Sequence, residues 1–348
     1  MHQEIGAQPL KFLIIQTAFL GDVLLATAVL EKLHQYFPTA QLDVLVKRGN
    51  ESVLEHHPWV GRVWTIEKKK CRLQELLRII RQVRYIGYNY VINLHRFTSS
   101  GLVTCFSGAP QRIGFRQNPF SFCYTYCVDH RFGIGPDGNY LHEIERNQLL
   151  IEHLTDAKPA RPRIYISDAS HQRVEQLCRQ HNLHSFVCIA PASVWFTKQW
   201  PLEKWLELIK FLPTSLDVVL LGSADDRALC ETLSQRAAQL SRKLINLAGV
   251  LSINETAALM QRAVMNYVND SAPLHIASAV NAPVTAIFCS TLPAFGFGPL
   301  SDKSYVMESQ ERLSCRPCGM HGRRRCPEGH FRCALSIDAR RAAAICSL

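Results

Sequence analysis

A lone acid in a short turn is the first residue of this chain placed for chemistry. Residues 11–33 read KFLIIQTAFLGDVLLATAVLEKL, with Asp22 between the apolar run at 12–15 and a helical repeat of Leu25, Val29 and Leu33. An unbroken apolar run suits a strand covered on both faces, and the later spacing suits a helix. Asp22 is therefore expected where a strand's carboxyl end meets a helix's amino end, the edge at which open α/β sheets bind ligands. A carboxylate there can take a proton from a reacting hydroxyl, or it can merely cap the helix.

Three turns in the second half carry complementary groups. Residues 190–201, APASVWFTKQWP, leave an apolar run and enter a helix at Pro201. Ser193, Thr197 and Lys198 there offer two hydroxyls and an ammonium near a helix start, a set able to hold a diphosphate. Residues 269–275, NDSAPLH, follow another apolar run. Asp270 or Ser271 can cap the next helix, with Ala272 and Pro273 in its first turn and His275 one turn in. The bland alternatives are a solvated loop at 190–201 and a histidine packed in the fold. Gly222 and Ser223, in LGSADD at 221–226, form a third such turn, able to face the nucleoside end of a ligand.

Strands alternate with helices along both halves of the chain. Strands are expected at residues 12–15, 42–46, 62–66 and 90–94, then at 186–190, 217–221, 244–247, 265–268 and 284–288. Helices are expected at 72–84, with Leu73, Leu76, Leu77 and Ile80 on one face, and at 147–154. Such alternation signals parallel doubly wound sheets. Residues 105–140 read as a long irregular excursion, and KPARPR at 158–163 as a linker. Two sheets so joined are expected to leave a cleft into which both sets of strand ends point.

The chain has 348 residues, too long for one ordinary core, and is 47% hydrophobic, enough to fill two. Its formal charge of +10 points to an anionic partner. Nothing resembles a secretory signal and no stretch reaches the length of a membrane span, so a soluble cytosolic protein is expected. In that setting most of the 13 cysteines are expected to be reduced, with Cys188 and Cys289 as small core residues. The turn at 17–22 holds one glycine, so it is neither a dinucleotide-binding fingerprint nor a Walker loop, and no G-x-S-x-G elbow occurs. Near the end, Cys315, Cys318, Cys326 and Cys333 are spaced C-x2-C-x7-C-x6-C. One short pair suggests zinc, but the other lacks the usual spacing, and no metal or other cofactor is expected.

Four segments taken together resemble glycosyltransferase family 9, the lipopolysaccharide heptosyltransferases: LGDVLLAT at 20–27, KQWP at 198–201, N-D-S-x-x-x-H at 269–275, and the tail with CRPC from Cys315 and CPEGH from Cys326. The resemblance implies an α/β GT-B fold, two Rossmann-like doubly wound domains facing across a cleft. Residues 1–160 would form the acceptor-binding domain and 161–335 the nucleotide-sugar-binding domain. Residues 336–348, with Ser336 as cap, would form a helix returning to the first domain. It implies inverting, metal-independent transfer of heptose from ADP-heptose to a lipid A-linked core oligosaccharide, with Asp22 as general base. Lys198 and the helix amino end at Asp270, Ser271, Ala272 and His275 would meet the departing diphosphate. Acceptor contacts are expected from Thr17, Phe19 and Gly21 in the first turn, and from His95 and Arg96 at a neighbouring strand end. Ala272 stands where many members have glycine, which narrows the room for a phosphate.

Lys68, Lys69, Lys70, Arg72, Arg78, Arg81 and Arg84 concentrate charge in the first half, which is expected to meet phosphorylated glycolipid at an anionic inner-membrane surface. Two rivals stay open: a transferase using another nucleotide sugar such as a UDP-sugar, and a nucleic-acid-binding protein with a zinc-bound tail. No nucleic-acid motif supports the second, so no nucleic-acid partner is expected.

Overall fold

The computed structural model describes residues 9–67, 72–132 and 140–347. Two compact units divide the chain, the first spanning Met1–Gly133 and Glu143–Tyr165, the second Ile134–His142 and Ile166–Leu348. The KPARPR stretch lies in the first unit.

The first unit contains β1 (Lys11–Gln16), α1 (Leu20–Tyr36), β2 (Gln41–Lys47), β3 (Val60–Ile66), α2 (Arg72–Ile86), β4 (Tyr90–Asn93), α3 (Thr98–Cys105), β5 (Gln111–Phe115), β6 (Tyr126–Val128) and α4 (Glu143–Gln148). Its six strands lie in the order β3-β2-β1-β4-β5-β6, and every pairing is parallel. Phe12, Leu13, Ile14 and Ile15 are fully buried, as a strand covered on both faces requires. The order reverses between β1 and β4. That is the topological switch point of the sheet, where the loops leaving two neighbouring strands diverge and open a ligand crevice.

The second unit contains α5 (Asp168–His181), β7 (Phe186–Ala190), α6 (Leu202–Phe211), β8 (Asp217–Leu220), α7 (Arg227–Ala238), β9 (Leu244–Asn246), α8 (Ile253–Arg262), β10 (Met265–Asn269), α9 (Ala272–Ala279), β11 (Val284–Phe288), β12 (Ser304–Glu308), α10 (Arg332–Leu335) and α11 (Ala339–Ala344). Its sheet, also parallel, runs β12-β11-β10-β7-β8-β9 and reverses between β7 and β10. Cys188 and Cys289 are buried core residues, as expected.

Several elements differ from the sequence expectation. The stretch expected to be irregular holds β5 and β6, and β12 adds an edge strand that the apolar pattern does not reveal. The helix expected at 147–154 begins earlier, at Glu143, and ends at Gln148, with a separate short 3-10 turn at Glu152–Leu154. On α2 the face toward the core is formed by Ile79 and Val83, with Leu76 and Ile80 packed beside them, while Leu73 and Leu77 are exposed. The lysines at 68–70 lie outside the described residues.

The final helix packs within the second unit. Ala339, Ala342 and Ala343 are buried in the same cluster as Trp200 and Trp205 of the second unit. The Trp200 indole donates to the carbonyl of Ala334 at 3.0 Å, and the Tyr267 hydroxyl to that of Ala342 at 3.2 Å. Three small alanines permit the close approach that these bonds need. Asp338, rather than Ser336, caps α11 by accepting from the backbone N–H groups of Arg340 and Arg341.

Candidate functional site

The switch point of the first sheet brings together the residues expected to contact an acceptor. The turn after β1 carries Thr17, Phe19, Gly21 and Asp22, and the segment after β4 carries His95 and Arg96. Thr17 Oγ1 lies 2.9 Å from His95 Nδ1, which ties the two loops to each other. Phe19 is exposed, with 57% of its surface open, and offers an apolar rim beside them.

Asp22 is not the N-cap of α1. It sits three residues after Phe19, inside the first turn, and its carboxylate accepts the Phe19 N–H at 3.1 Å. Phe19 has no side-chain acceptor to return the bond, so this is half of a capping box. One carboxylate oxygen is thereby oriented, and the residue keeps part of its surface open. Burial beneath the surrounding protein, reinforced by the charge of Glu143, raises the Asp22 carboxyl to about 6, against the opposing pull of the Phe19 N–H and of Arg96. A carboxylate with that value is ionised at neutral pH and more basic than an ordinary aspartate.

Behind Asp22 lies a buried charged chain that the sequence pattern does not reveal. Arg96 donates to His130 Nδ1 at 3.2 Å, His130 Nε2 lies 3.2 Å from a Glu143 oxygen, and Arg146 Nε donates to the same carboxylate at 2.7 Å. A guanidinium can only donate, so Nδ1 of His130 accepts and its proton sits on Nε2, facing Glu143. Burial works to raise the Glu143 carboxyl, but His130 and Arg146 outweigh it and hold it below the usual range. The guanidinium of Arg146, fully buried, also lies over the Phe132 ring at 4.8 Å. The one signal available in sequence was the i, i+3 spacing of Glu143 and Arg146; His130 and Arg96 are distant along the chain.

The switch point of the second sheet gathers the other expected set. The loop after β7 carries Ser193, Thr197 and Lys198; the turn after β10 carries Asp270, Ser271, Ala272 and, in α9, His275. Lys198 Nζ lies 2.6 Å from Asp270 Oδ2, and the Thr291 hydroxyl donates to the same oxygen at 2.6 Å. Asp270 thus orients Lys198 instead of capping α9, and Ser271 makes no side-chain cap either. The amino end of α9 has no side-chain cap among the described residues, and its N–H groups carry the positive end of the helix dipole.

His275 is buried, and burial lowers its imidazole to about 4, so it is neutral at ordinary pH. Its Nδ1 has no hydrogen-bond partner among the described residues. Ser193 uses its carbonyl to accept from the Gln199 side chain at 2.6 Å. Beyond β8, beside β7, the Ser223 N–H and hydroxyl both donate to Asp226, at 2.8 and 2.7 Å. A Cβ at Gly222 would stand 2.8 Å from that of Asp226, so glycine lets the turn close on its cap.

Among the described residues no group of three or more His, Cys, Asp or Glu side chains is gathered in a way that could hold a metal ion. Cys315 Sγ lies 3.9 Å from His330 Nε2, and Cys318 Sγ donates to the Cys315 carbonyl at 3.3 Å. Cys326 and Cys333 are free thiols as well.

Two parallel six-stranded sheets with alternating helices, each with a switch point, form the α/β architecture of the GT-B class. Residues 76–327 match the profile of glycosyltransferase family 9 (heptosyltransferase), and the chain belongs to that family. Lipopolysaccharide heptosyltransferase 3 of Escherichia coli K12 is 28% identical over 284 residues, 78% of this chain and 80% of that protein. Lipopolysaccharide heptosyltransferase 2 of the same organism is 25% identical, covering 86% of this chain and 88% of that one. Among solved structures, the ADP-heptose heptosyltransferase II of E. coli is similar with a TM-score of 0.76 over 97% of this chain and 98% of that one, at 22% identity. An E. coli heptosyltransferase solved with ADP is similar with a TM-score of 0.65 over 85% and 92% of the two chains, at 20% identity.

Proposed function

We propose that the protein transfers heptose from ADP-heptose to a sugar of the lipopolysaccharide core with inversion, Asp22 acting as the general base. The observation that carries this reading is the Asp22 carboxylate itself: at the carboxyl edge of β1, held by one N–H, and raised to about 6. In the proposed reaction an acceptor hydroxyl gives its proton to Asp22 while its oxygen bonds to the anomeric carbon. The bond from that carbon to the β-phosphate oxygen breaks, and its electron pair leaves with ADP. Attack opposite the leaving group inverts the centre.

The donor diphosphate would lie against Lys198 and the amino end of α9, which stabilise the charge it gains on departure. Protein groups alone would serve, with no metal required. Thr17, Phe19, Gly21, His95 and Arg96 would hold the acceptor. Gly222 and Ser223 would face the nucleoside. The heptosyltransferase names of the relatives support the sugar and the acceptor class.

Calorimetry with ADP and UDP tests the donor, ADP being expected to bind at least about tenfold more tightly, since a base edge is discriminated by a hydrogen bond or two. Equal affinities would favour the UDP-sugar rival. Turnover with ADP-heptose and a panel of truncated core acceptors then identifies the acceptor. Lys198→Ala should weaken ADP binding by about tenfold or more, the value of a charge-assisted bond. Unchanged ADP affinity would remove Lys198 from the phosphate site.

A peripheral position at an anionic membrane, in the cytoplasm, completes the reading. No helix among the described residues is long and apolar enough to cross a membrane. The outer face of α2 exposes Leu73, Leu77 and Tyr85 beside Arg78, Arg81 and Arg84, apolar groups to enter a headgroup layer and cations to meet it. Arg81→Glu with Arg84→Glu should reduce binding to phosphatidylserine vesicles by about tenfold or more at low salt, each basic group near such a surface being worth about 1 kcal/mol. Binding that ignores both the substitutions and the salt would refute this placement.

A further inference from the structure

The cysteine-rich tail is joined to the Lys198 turn by a specific lock. Thr197 donates its backbone N–H to the Arg323 carbonyl at 3.0 Å, and Arg323 returns its own N–H to Thr197 Oγ1 at 2.7 Å. The buried Ser290 hydroxyl donates to that same Oγ1 at 3.0 Å, and the Ser290 carbonyl accepts from Cys318 N–H at 2.9 Å. Upstream, the Arg316 side chain donates to the carbonyls of Phe288, Cys289 and Thr291 and to Glu308. The tail is thus fixed at two places, to the carboxyl end of β11 and to the turn holding Lys198. Gly322 permits the closeness: at φ +77°, a Cβ there would stand 3.1 Å from Lys198 Cγ and from Thr197 Oγ1.

Charge matching gives this lock a purpose. The Lys198 ammonium can donate to a phosphate oxygen, but it shares its charge with Asp270 at 2.6 Å, so the pair offers an anion less than a full positive charge. A helix amino end supplies only about half an elementary charge. A nucleoside diphosphate carries more negative charge than that, and the deficit calls for a further cation. Arg323 has an exposed side chain and is fixed by both of its backbone groups to the residue before Lys198. It makes no ion pair among the described residues.

We propose that Arg323 is a donor-binding residue whose guanidinium meets the diphosphate, and that the backbone lock with Thr197 delivers it there. The inference rests on the reading that the donor diphosphate lies against Lys198. Its fork of N–H groups suits phosphate oxygens in a way an already paired ammonium does not.

The test is calorimetry of ADP, UDP and adenosine against the full-length protein and its Arg323→Ala, Thr197→Val, Thr197→Ser and Lys198→Ala variants, each first shown to melt cooperatively. Arg323→Ala should weaken the tighter of the two diphosphates by about tenfold and reduce the salt dependence of its binding, leaving adenosine affinity unchanged. Thr197→Val, which keeps shape but removes the oxygen that accepts the Arg323 N–H, should show the same loss; Thr197→Ser should restore affinity. Unchanged diphosphate affinity in Arg323→Ala, or an equal loss for adenosine, overturns the assignment. Thr197→Val behaving as wild type discards the lock. If Lys198→Ala alone leaves both diphosphates unaffected, the placement of the diphosphate fails and this inference with it. A loss in Lys198→Ala without one in Arg323→Ala defeats the inference and leaves the placement standing.

Discussion

Asp22→Asn is expected to lower turnover by about 10²–10⁴-fold, the usual contribution of a positioned base, while ADP affinity stays at the wild-type value. Asparagine keeps the size of the side chain and an oxygen to accept the Phe19 N–H, so the turn is preserved. Only the proton acceptor is lost. In the wild-type enzyme kcat/KM should rise with pH through about 6, where the carboxyl ionises, and then level off. The asparagine variant should lack that limb. Stability gives an independent reading. Because the folded-state value lies above that of the unfolded chain, ionising Asp22 in the fold is unfavourable, and stability falls as pH rises between about 4 and 6. Asp22→Asn removes that cost, so its melting temperature at pH 7 should exceed wild type, and the gain should vanish below pH 4. Near-normal turnover in the variant, or a loss of stability at neutral pH, would count against the assignment.

The contrast between Asp22 and its surroundings shows what the sequence makes legible. Asp22, Lys198 and Asp270 could be picked out because each follows an apolar run, and β1, β7 and β10 are such runs, buried on both faces. Local pattern therefore located both switch points. It did not reveal pairings over distance: that Asp270 would spend its carboxylate on Lys198, 72 positions away in sequence, instead of on the amino end of α9. The strands β5 and β12 were hidden for a related reason. QRIGF and SYVME, near or at the sheet edges, mix polar and apolar residues and lack the uniform pattern of a central strand. On α2 two apolar stripes overlap, Leu73 and Leu77 with Leu76 and Ile80, and Leu76, Ile79, Ile80 and Val83 with one another. Helical periodicity fits both, and only the packing against Val91 and Val103 selects the second.

The largest effect on the fold itself is expected at Glu143. Its carboxylate is the common acceptor of His130 and Arg146, and all three side chains are buried. Glu143→Gln keeps an oxygen but removes a charge paired with Arg146, a fully buried cation. Deleting one partner of a buried ion pair costs about 3–5 kcal/mol, and the retained amide oxygen should hold the loss near the lower end. The melting temperature should fall by several degrees. The same substitution acts on Asp22 in the opposite sense from most losses of stability. Glu143 is the second cause, after burial, of the raised Asp22 value, so removing its charge should move the acid limb of the pH profile below 6. A weaker base should also lower the plateau rate, because proton transfer follows basicity. A merely structural role for Glu143 would lower stability without moving the limb. The diagnostic result is therefore the displaced limb measured on protein confirmed to be folded at each pH, with Asp22→Asn/Glu143→Gln showing no limb at all. An acid limb unmoved in Glu143→Gln would separate the buried chain from the chemistry and leave it as part of the core.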